Sequence, residues 1–257
     1  MEKQKTILVT NDDGIDAKGL YALIEGVKRL GNIMVVAPAE PQSGMSHAIT
    51  VKYPLRVKKH NDYHGIPLYS VNGTPVDCVK IAMNRIIQKR PDLIVSGVNH
   101  GSNAASSVLY SGTLGAALEG SINRVSAIGF SYDSFDHEAN IHLYDSYIHK
   151  ITEKVLDHGL PENICLNVNI PAIPSEEIKG VKICRQNIGY WVEEYDKRID
   201  PAGKEYYWLT GKYENTEPEA TDTDEWALKN NYIAVVPLRT DLTCYKTLDS
   251  IKKWDIK

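Results

Sequence analysis

No block of basic residues, no apolar run of membrane-spanning length and no closely spaced cysteine pair occurs in the 257 residues. Each absence removes a class of function. Lysine and arginine total 29 against 33 aspartates and glutamates, a net charge of −4. Nothing therefore favours duplex nucleic acid or a membrane surface as partner. A spanning helix needs about 18 or more consecutive apolar residues, and no such stretch exists. The polar start Met1-Glu2-Lys3-Gln4-Lys5 leads into an apolar strand without the apolar core of a leader peptide, so a cytoplasmic protein is expected. Cys78, Cys165, Cys184 and Cys244 are scattered through apolar or strand-like contexts, which predicts four buried thiols rather than disulfides or a zinc site. Internal repeats and low-complexity tracts are also missing, as is a G-x-G-x-x-G dinucleotide motif after the first strand.

What is present is an ordinary globular composition, 42% hydrophobic and 24% charged, in a chain long enough to bury a full core. Strand and helix patterns alternate. Residues 7–9, 33–37, 92–96, 125–130 and 164–170 are short apolar runs of the kind a buried parallel strand requires. Leu20, Leu23, Ile24, Val27 and Leu30 recur at helical spacing before Gly31, and Pro75 opens a second helix carrying Val76, Val79, Met83 and Ile86. Residues 49–57 and 63–71 are expected to be extended. Thr113 is placed to N-cap a helix of small residues, and residues 142–156 form a helix turning Leu143, Tyr147, Ile151 and Val155 inward. This alternation predicts an α/β fold, a Rossmann-like, mostly parallel, doubly wound sheet, with residues 1–178 as the catalytic core. From residue 179 the texture changes. Residues 181–185, 190–195, 205–209 and 232–236 look like strands, the turn Asp200-Pro-Ala-Gly203 separates two of them, and residues 213–224 look like acidic loop. Leu248, Ile251 and Trp254 suggest a C-terminal amphipathic helix. Residues 179–257 are read as a hairpin-and-helix extension that completes the core.

Three loops follow three of the core strands, and in a doubly wound sheet they open on one edge. The first is Asn11-Asp12-Asp13-Gly14. Adjacent aspartates repel unless a cation or a proton lies between them, and a hard divalent cation prefers carboxylate oxygens. The same tetrapeptide also serves as a solvated turn. The second loop, residues 39–47, offers Ser43 and the bare backbone of Gly44. The third, residues 97–112, brings Asn99 and Asn103 and ends at Ser111, Gly112 and Thr113, where a helix N-terminus suits a phosphate. Carboxylate, hydroxyl and amide oxygens together suit magnesium or manganese better than zinc or copper. His47 and His100 lie in these loops without an assigned role.

At these residues the chain resembles a known family. The strings Ile7-Leu-Val-Thr-Asn-Asp-Asp-Gly14, Val36-Ala-Pro38, Gln42-Ser-Gly44, Gly73-Thr-Pro-Val-Asp-Cys78, Pro91-Asp-Leu-Ile-Val-Ser-Gly-Val-Asn99 and Tyr110-Ser-Gly-Thr113 are similar, in order and spacing, to the survival protein E (SurE) family of nucleotidases. The region around Asp222 and residues 232–243 look similar too, while residues 190–213 match only loosely. The resemblance implies a phosphomonoesterase that converts nucleoside 5′- or 3′-monophosphates to nucleoside and phosphate, with short polyphosphate as a further substrate of some members. It implies one divalent ion per subunit (Mg2+ or Mn2+) on Asp12, Asp13, Ser43 and Asn99, with catalytic work falling to Asp12, Asp13 and Asn99. The phosphate pocket falls on Gly44, Asn103, Ser111, Gly112 and Thr113. A homodimer or homotetramer, exchanging C-terminal elements, is implied as well. Position 14 is glycine, where an aspartyl-phosphate route commonly places a second acid, so direct attack by water is the expected route. The rival reading is a nucleotide-binding sensor that uses the same crevice without turnover.

Overall fold

The computed structural model describes residues 4–136 and 138–256. Its centre is a nine-stranded sheet. The first strand, β1 (Thr6–Thr10), lies between β2 (Asn32–Pro38) and β5 (Leu93–His100), parallel to both. Beyond β2 come β4 (Leu68–Val71) and the antiparallel edge strand β3 (Val57–Lys59). Beyond β5 come β6 (Ser126–Tyr132) and β7 (Ile164–Ile170), both parallel. A late strand, β13 (Tyr232–Arg239), pairs antiparallel with β7 and carries β8 (Gly180–Ile183) on its far side, so the sheet is mixed but mostly parallel. The order β3-β4-β2-β1-β5-β6-β7-β13-β8 reverses direction between β1 and β5, and that switch point opens the crevice where such sheets bind ligands.

Alternation of side chains along β1 builds two cores. Ile7 and Val9 face the helices α1 (Lys18–Val27) and α4 (Asp145–His158), joining Leu20, Leu23, Ile24, Ile148 and Val155. Leu8 faces the other way, toward α2 (Pro75–Ile81) and α3 (Gly112–Ile122), with Val79, Leu114 and Ala117. Both faces are therefore covered, as a buried parallel strand demands. Each fully buried Leu or Ile here contributes about 2 kcal/mol. α2 starts at a capping box in which the Thr74 hydroxyl accepts the Asp77 N–H at 3.1 Å and the Asp77 carboxylate accepts the Thr74 N–H at 2.9 Å, with Pro75 in its first turn. It continues into a wider turn over Ala82–Ile86, which carries the expected Met83 and Ile86.

Several expectations are corrected. Residues 49–56 form no strand, because Ile49, Val51 and Tyr53 are exposed and have no face to bury; only Val57–Lys59 pairs. In the segment 63–71 only Leu68–Val71 joins the sheet, with an isolated bridge between Tyr63 and Ile66. Ser111, not Thr113, caps α3. Leu143 is exposed because it lies in a tight 3-10 turn, Ile141–Tyr144, ahead of α4. Cys78, Cys165 and Cys184 are buried free thiols, but Cys244 is exposed at the start of α6 (Tyr245–Ile251).

After β8 the chain makes β9 (Gly189–Val192), β10 (Tyr195–Ile199), β11 (Glu205–Leu209) and β12 (Lys212–Asn215). β10 and β11 form a hairpin whose turn contains the predicted Asp200-Pro-Ala-Gly203, and β12 pairs back onto β9. A short helix, α5 (Asp224–Lys229), packs on β13. Of the stretch 213–224 expected to be loop, residues 216–223 are irregular, but β12 takes in residues 213–215 and α5 begins at Asp224. Among the described residues no helix is long and apolar enough to cross a membrane.

Candidate active site

The turn after β1 is closed by its own side chain. Asn11 Nδ2 donates to the Gly14 carbonyl at 2.9 Å, and the Gly14 N–H donates back to Asn11 Oδ1 at 3.2 Å. This fixes the two residues between them. Asp12 is 3% exposed. Burial pushes its carboxyl up to about 6; a hydrogen bond donated by the Thr113 hydroxyl works against that rise, and neighbouring Asp13 adds to it. A buried carboxylate held beside a second one favours an added cation. Thr113 reaches Asp12 because α3 presses against it. A Cβ built on Gly112 would lie 2.8 Å from the Asp12 Cβ, so any side chain there would drive the helix away.

The second loop is tied to the first where the Gln42 N–H donates to the Asp12 carbonyl at 2.7 Å. Ser43 and Gly44 follow, exposed, and Ser43 shares a cleft of about 590 Å³ with Asp13, Gly14, Ile15, Lys18 and His100. Lys18 pairs with Glu138 at 2.6 Å on this cleft's wall.

In the third loop Asn99 Nδ2 donates to the Gly101 carbonyl at 2.8 Å and to the His100 carbonyl at 3.2 Å. Its amide nitrogen is thereby committed, which leaves Oδ1, the atom a cation takes, outside those bonds. Asn103 is anchored to the sheet instead. Its Nδ2 donates to Ser131 Oγ at 2.8 Å, its N–H to Asn169 Oδ1 at 2.8 Å, and its carbonyl accepts from Asn167 Nδ2 at 2.9 Å. One amide hydrogen of Asn103 remains for a ligand. Ser111 Oγ accepts the Leu114 N–H at 3.1 Å, and its own hydroxyl hydrogen remains to donate. The N–H groups of Gly112 and Thr113 open the 11-residue helix α3 and have no partner within it.

The structure thus brings Asp12, Gly112 and Thr113 into contact, places Asp13 and Ser43 on one cleft, and sets Asn99 at the end of the neighbouring strand. Asn103 is turned toward β6. His47 pairs with Glu119 at 3.0 Å, away from the aspartates' own turn, and His100 lines the cleft. Sequence reasoning missed the turn-closing Asn11, although Asn-x-x-Gly is a known side-chain-to-backbone turn pattern. It also missed Thr113 as the partner of Asp12.

Among the described residues no group of three or more His, Cys, Asp and Glu side chains lies together. A metal here would rest on two carboxylates supplemented by the neutral oxygens of Ser43 and Asn99, a donor set that fits a hard divalent ion and not zinc.

Comparison with known proteins agrees with this architecture. The family model described as "Survival protein SurE" matches residues 7–193. The 5′-nucleotidase SurE of Flavobacterium psychrophilum is 49% identical over 251 residues, covering 97% of each chain. That of Phocaeicola vulgatus is 45% identical over 258 residues and covers both chains completely. Among solved structures, the SurE protein of Aquifex aeolicus superposes with a TM-score of 0.83 at 40% identity, covering 96% of this chain and 98% of that one. The mostly parallel sheet covered on both faces, the acidic turn after its first strand and the near-complete match to these relatives lead to one conclusion: this chain belongs to the SurE family.

Proposed function

We propose that this protein is a divalent-metal-dependent nucleotidase that hydrolyses nucleoside 5′- and 3′-monophosphates to nucleoside and phosphate, with short polyphosphate as a secondary substrate. The observation that carries the reading is Asp12. A nearly buried carboxylate, beside a second one, is pressed against the N-terminal turn of α3. Anion site and cation site then adjoin, as phosphoryl hydrolysis requires. The relatives named 5′-nucleotidase SurE support the same activity.

In this reading Asp12, Asp13, Ser43 and Asn99 hold one Mg2+ or Mn2+ per subunit. When bound, the ion supplies Lewis-acid polarisation of a phosphoryl oxygen and lowers the pKa of a water molecule. The chain's own groups do the rest. Thr113 fixes the Asp12 carboxylate by donating to Oδ1. The Gly44 backbone, the free amide hydrogen of Asn103, the Ser111 hydroxyl and the N–H groups of Gly112 and Thr113 donate to the phosphate and to charge that grows on its equatorial oxygens. Gly14 supplies no second acid, so water attacks directly.

The C-terminal extension is assigned to a homodimer or homotetramer. Its hairpin exposes Tyr207, Trp208 and Leu209, and the segments flanking the terminal helix expose Leu242 and Trp254, as an interface does. A cytoplasmic location suits a nucleotide substrate and free thiols.

The test is phosphate release from AMP, GMP and 3′-AMP with added Mn2+. Metal-dependent release from at least one of them is expected. Binding of these nucleotides without release would overturn the nucleotidase in favour of a sensor.

A further inference from the structure

Ser43, Gly44 and Met45 are exposed, and a Cβ on Gly44 would meet nothing within 4 Å. Only local turn bonds hold this span, from the Met45 N–H to the Gln42 carbonyl at 3.3 Å and from the Ala48 N–H to the Met45 carbonyl at 3.0 Å, yet Ser43 is the residue the second loop contributes to the cation site in the reading above. It hangs between two anchors. The near one is the Gln42 N–H on the Asp12 carbonyl at 2.7 Å. The far one is a set of contacts with α3 and the turn before it. The Ser46 N–H donates to the Tyr110 carbonyl at 3.1 Å and its hydroxyl to the Leu109 carbonyl at 2.7 Å, while Ser46 itself sits at φ 53°, a conformation that a serine keeps only when its surroundings hold it. A Cβ on Gly115 of α3 would lie 2.2 Å from the Ser46 carbonyl oxygen and 3.3 Å from the His47 Cα, so loop and helix backbones are in direct contact there.

One turn further along α3, Glu119 completes the far anchor. Its side chain is 5% exposed, and it accepts from His47 Nε2 at 3.0 Å, from Lys80 Nζ at 2.8 Å and from Asn123 Nδ2 at 2.8 Å. Burial would raise this carboxyl, but the three hydrogen bonds outweigh it and hold it below the ordinary value. A nearly buried carboxylate on the helix that begins at the phosphate pocket is thus bonded to the loop that carries Ser43.

We infer that Glu119 is a positioning residue: acting through His47, it holds residues 43–45 in register with the first turn of α3, so that cation site and phosphate pocket keep a fixed separation. This rests on the nucleotidase reading for its catalytic meaning, but the mechanical claim stands separately. His47 touches no reacting atom in this scheme. Its task is to carry the tether from helix to loop.

The experiment uses the full-length protein and reads hydrogen exchange at residues 43–46 without metal, then Mn2+ activation with AMP. His47→Ala is the main variant, because the His47 side chain is half-buried rather than part of the core and Glu119 keeps Lys80 and Asn123. Exchange at 43–46 is expected to quicken at least about tenfold. Half-saturating Mn2+ is expected to rise about tenfold, in the range seen when groups behind a metal ligand are lost, while kcat at saturating Mn2+ stays within about threefold. His47→Gln, which keeps a donor, should restore both. Lys80→Met, which cuts the tie to α2 alone, should leave exchange at 43–46 unchanged. A folded His47→Ala protein with unaltered exchange overturns the inference, as does equal loosening by Lys80→Met. If wild type released no phosphate, the functional reading would fall, and the exchange data would still decide the tether.

Discussion

Asp12 is 3% exposed and the turns around it are bonded to one another, whereas Trp208 and Leu209 in the β10–β11 hairpin are 62% and 74% exposed and pair only with their own hairpin. The first region is finished within one chain: Asn11 closes its turn, Thr113 braces its carboxylate and two cores lie beneath it. The second carries large apolar side chains that folding of a single chain does not cover. Rigid geometry is spent on the site, and apolar area on the arm. The contrast teaches that mutations should separate cleanly into those that stop chemistry and leave the exposed arm untouched, and those that alter the arm, and with it the proposed assembly, around an intact core.

The sharpest way to break that contrast is at the acidic turn. Asp12→Asn or Asp13→Asn is expected to lower kcat for AMP about a hundredfold or more, with the oligomer unchanged by light scattering. Full activity in either variant would remove these carboxylates from the cation site. The next effect is on assembly. Trp208→Asp combined with Leu209→Asp should reduce the mass in solution to that of a smaller species, while thermal unfolding of the core shifts little. An unchanged mass would show that the hairpin is not an interface. The smallest effect lies outside both regions, at Glu225 of α5. Burial first, then Asp224 and Asp133, push its carboxyl up to about 7. The folded state therefore holds this proton more tightly than the unfolded chain, so ionising it costs stability above pH 7, and the cost vanishes as pH falls toward 4.5. Glu225→Gln should raise the stability at pH 8 by on the order of 1 kcal/mol, discounted for partial solvent access, and leave it unchanged near pH 4.5. Equal melting temperatures at pH 8 would refute the shift.

Much of the core was legible because its signals are local. Ile7, Leu8 and Val9 followed by Asn-Asp-Asp-Gly announce a buried strand and an acidic turn, and Leu20, Leu23, Ile24 and Val27 announce the helix that covers it. The site's loops were legible as loops, since all follow parallel strands. Their bracing was not, because it links residues far apart in the chain. Thr113 and Ser111 are equally good caps on paper, and only the close approach at Gly112 decides that Thr113 serves Asp12 and Ser111 caps α3. In the C-terminal part β12 was hidden because it pairs with β9 alone and alternates exposed with half-buried residues. α5 was hidden because it is six residues long and buries only Ala227, Leu228 and Asp224. Asp224 looks like loop polarity in sequence, yet it is fully buried and accepts the N–H groups of Ala105, Asn187 and Glu225. Thr223, whose hydroxyl accepts the Trp226 N–H at 3.2 Å, was the available cue to a helix start.

The place of β13 in the central sheet has a consequence for biosynthesis. β7 ends at Ile170, and its neighbour on that side is not translated until residues 232–239. A ribosome-bound nascent chain therefore carries an open apolar ladder at β7 throughout the synthesis of some sixty intervening residues, a template for wrong pairing. Chains that stop short of Tyr232 keep that ladder exposed for good, so premature termination there is expected to yield aggregation-prone fragments even when the acidic turn and both halves of the crevice are complete.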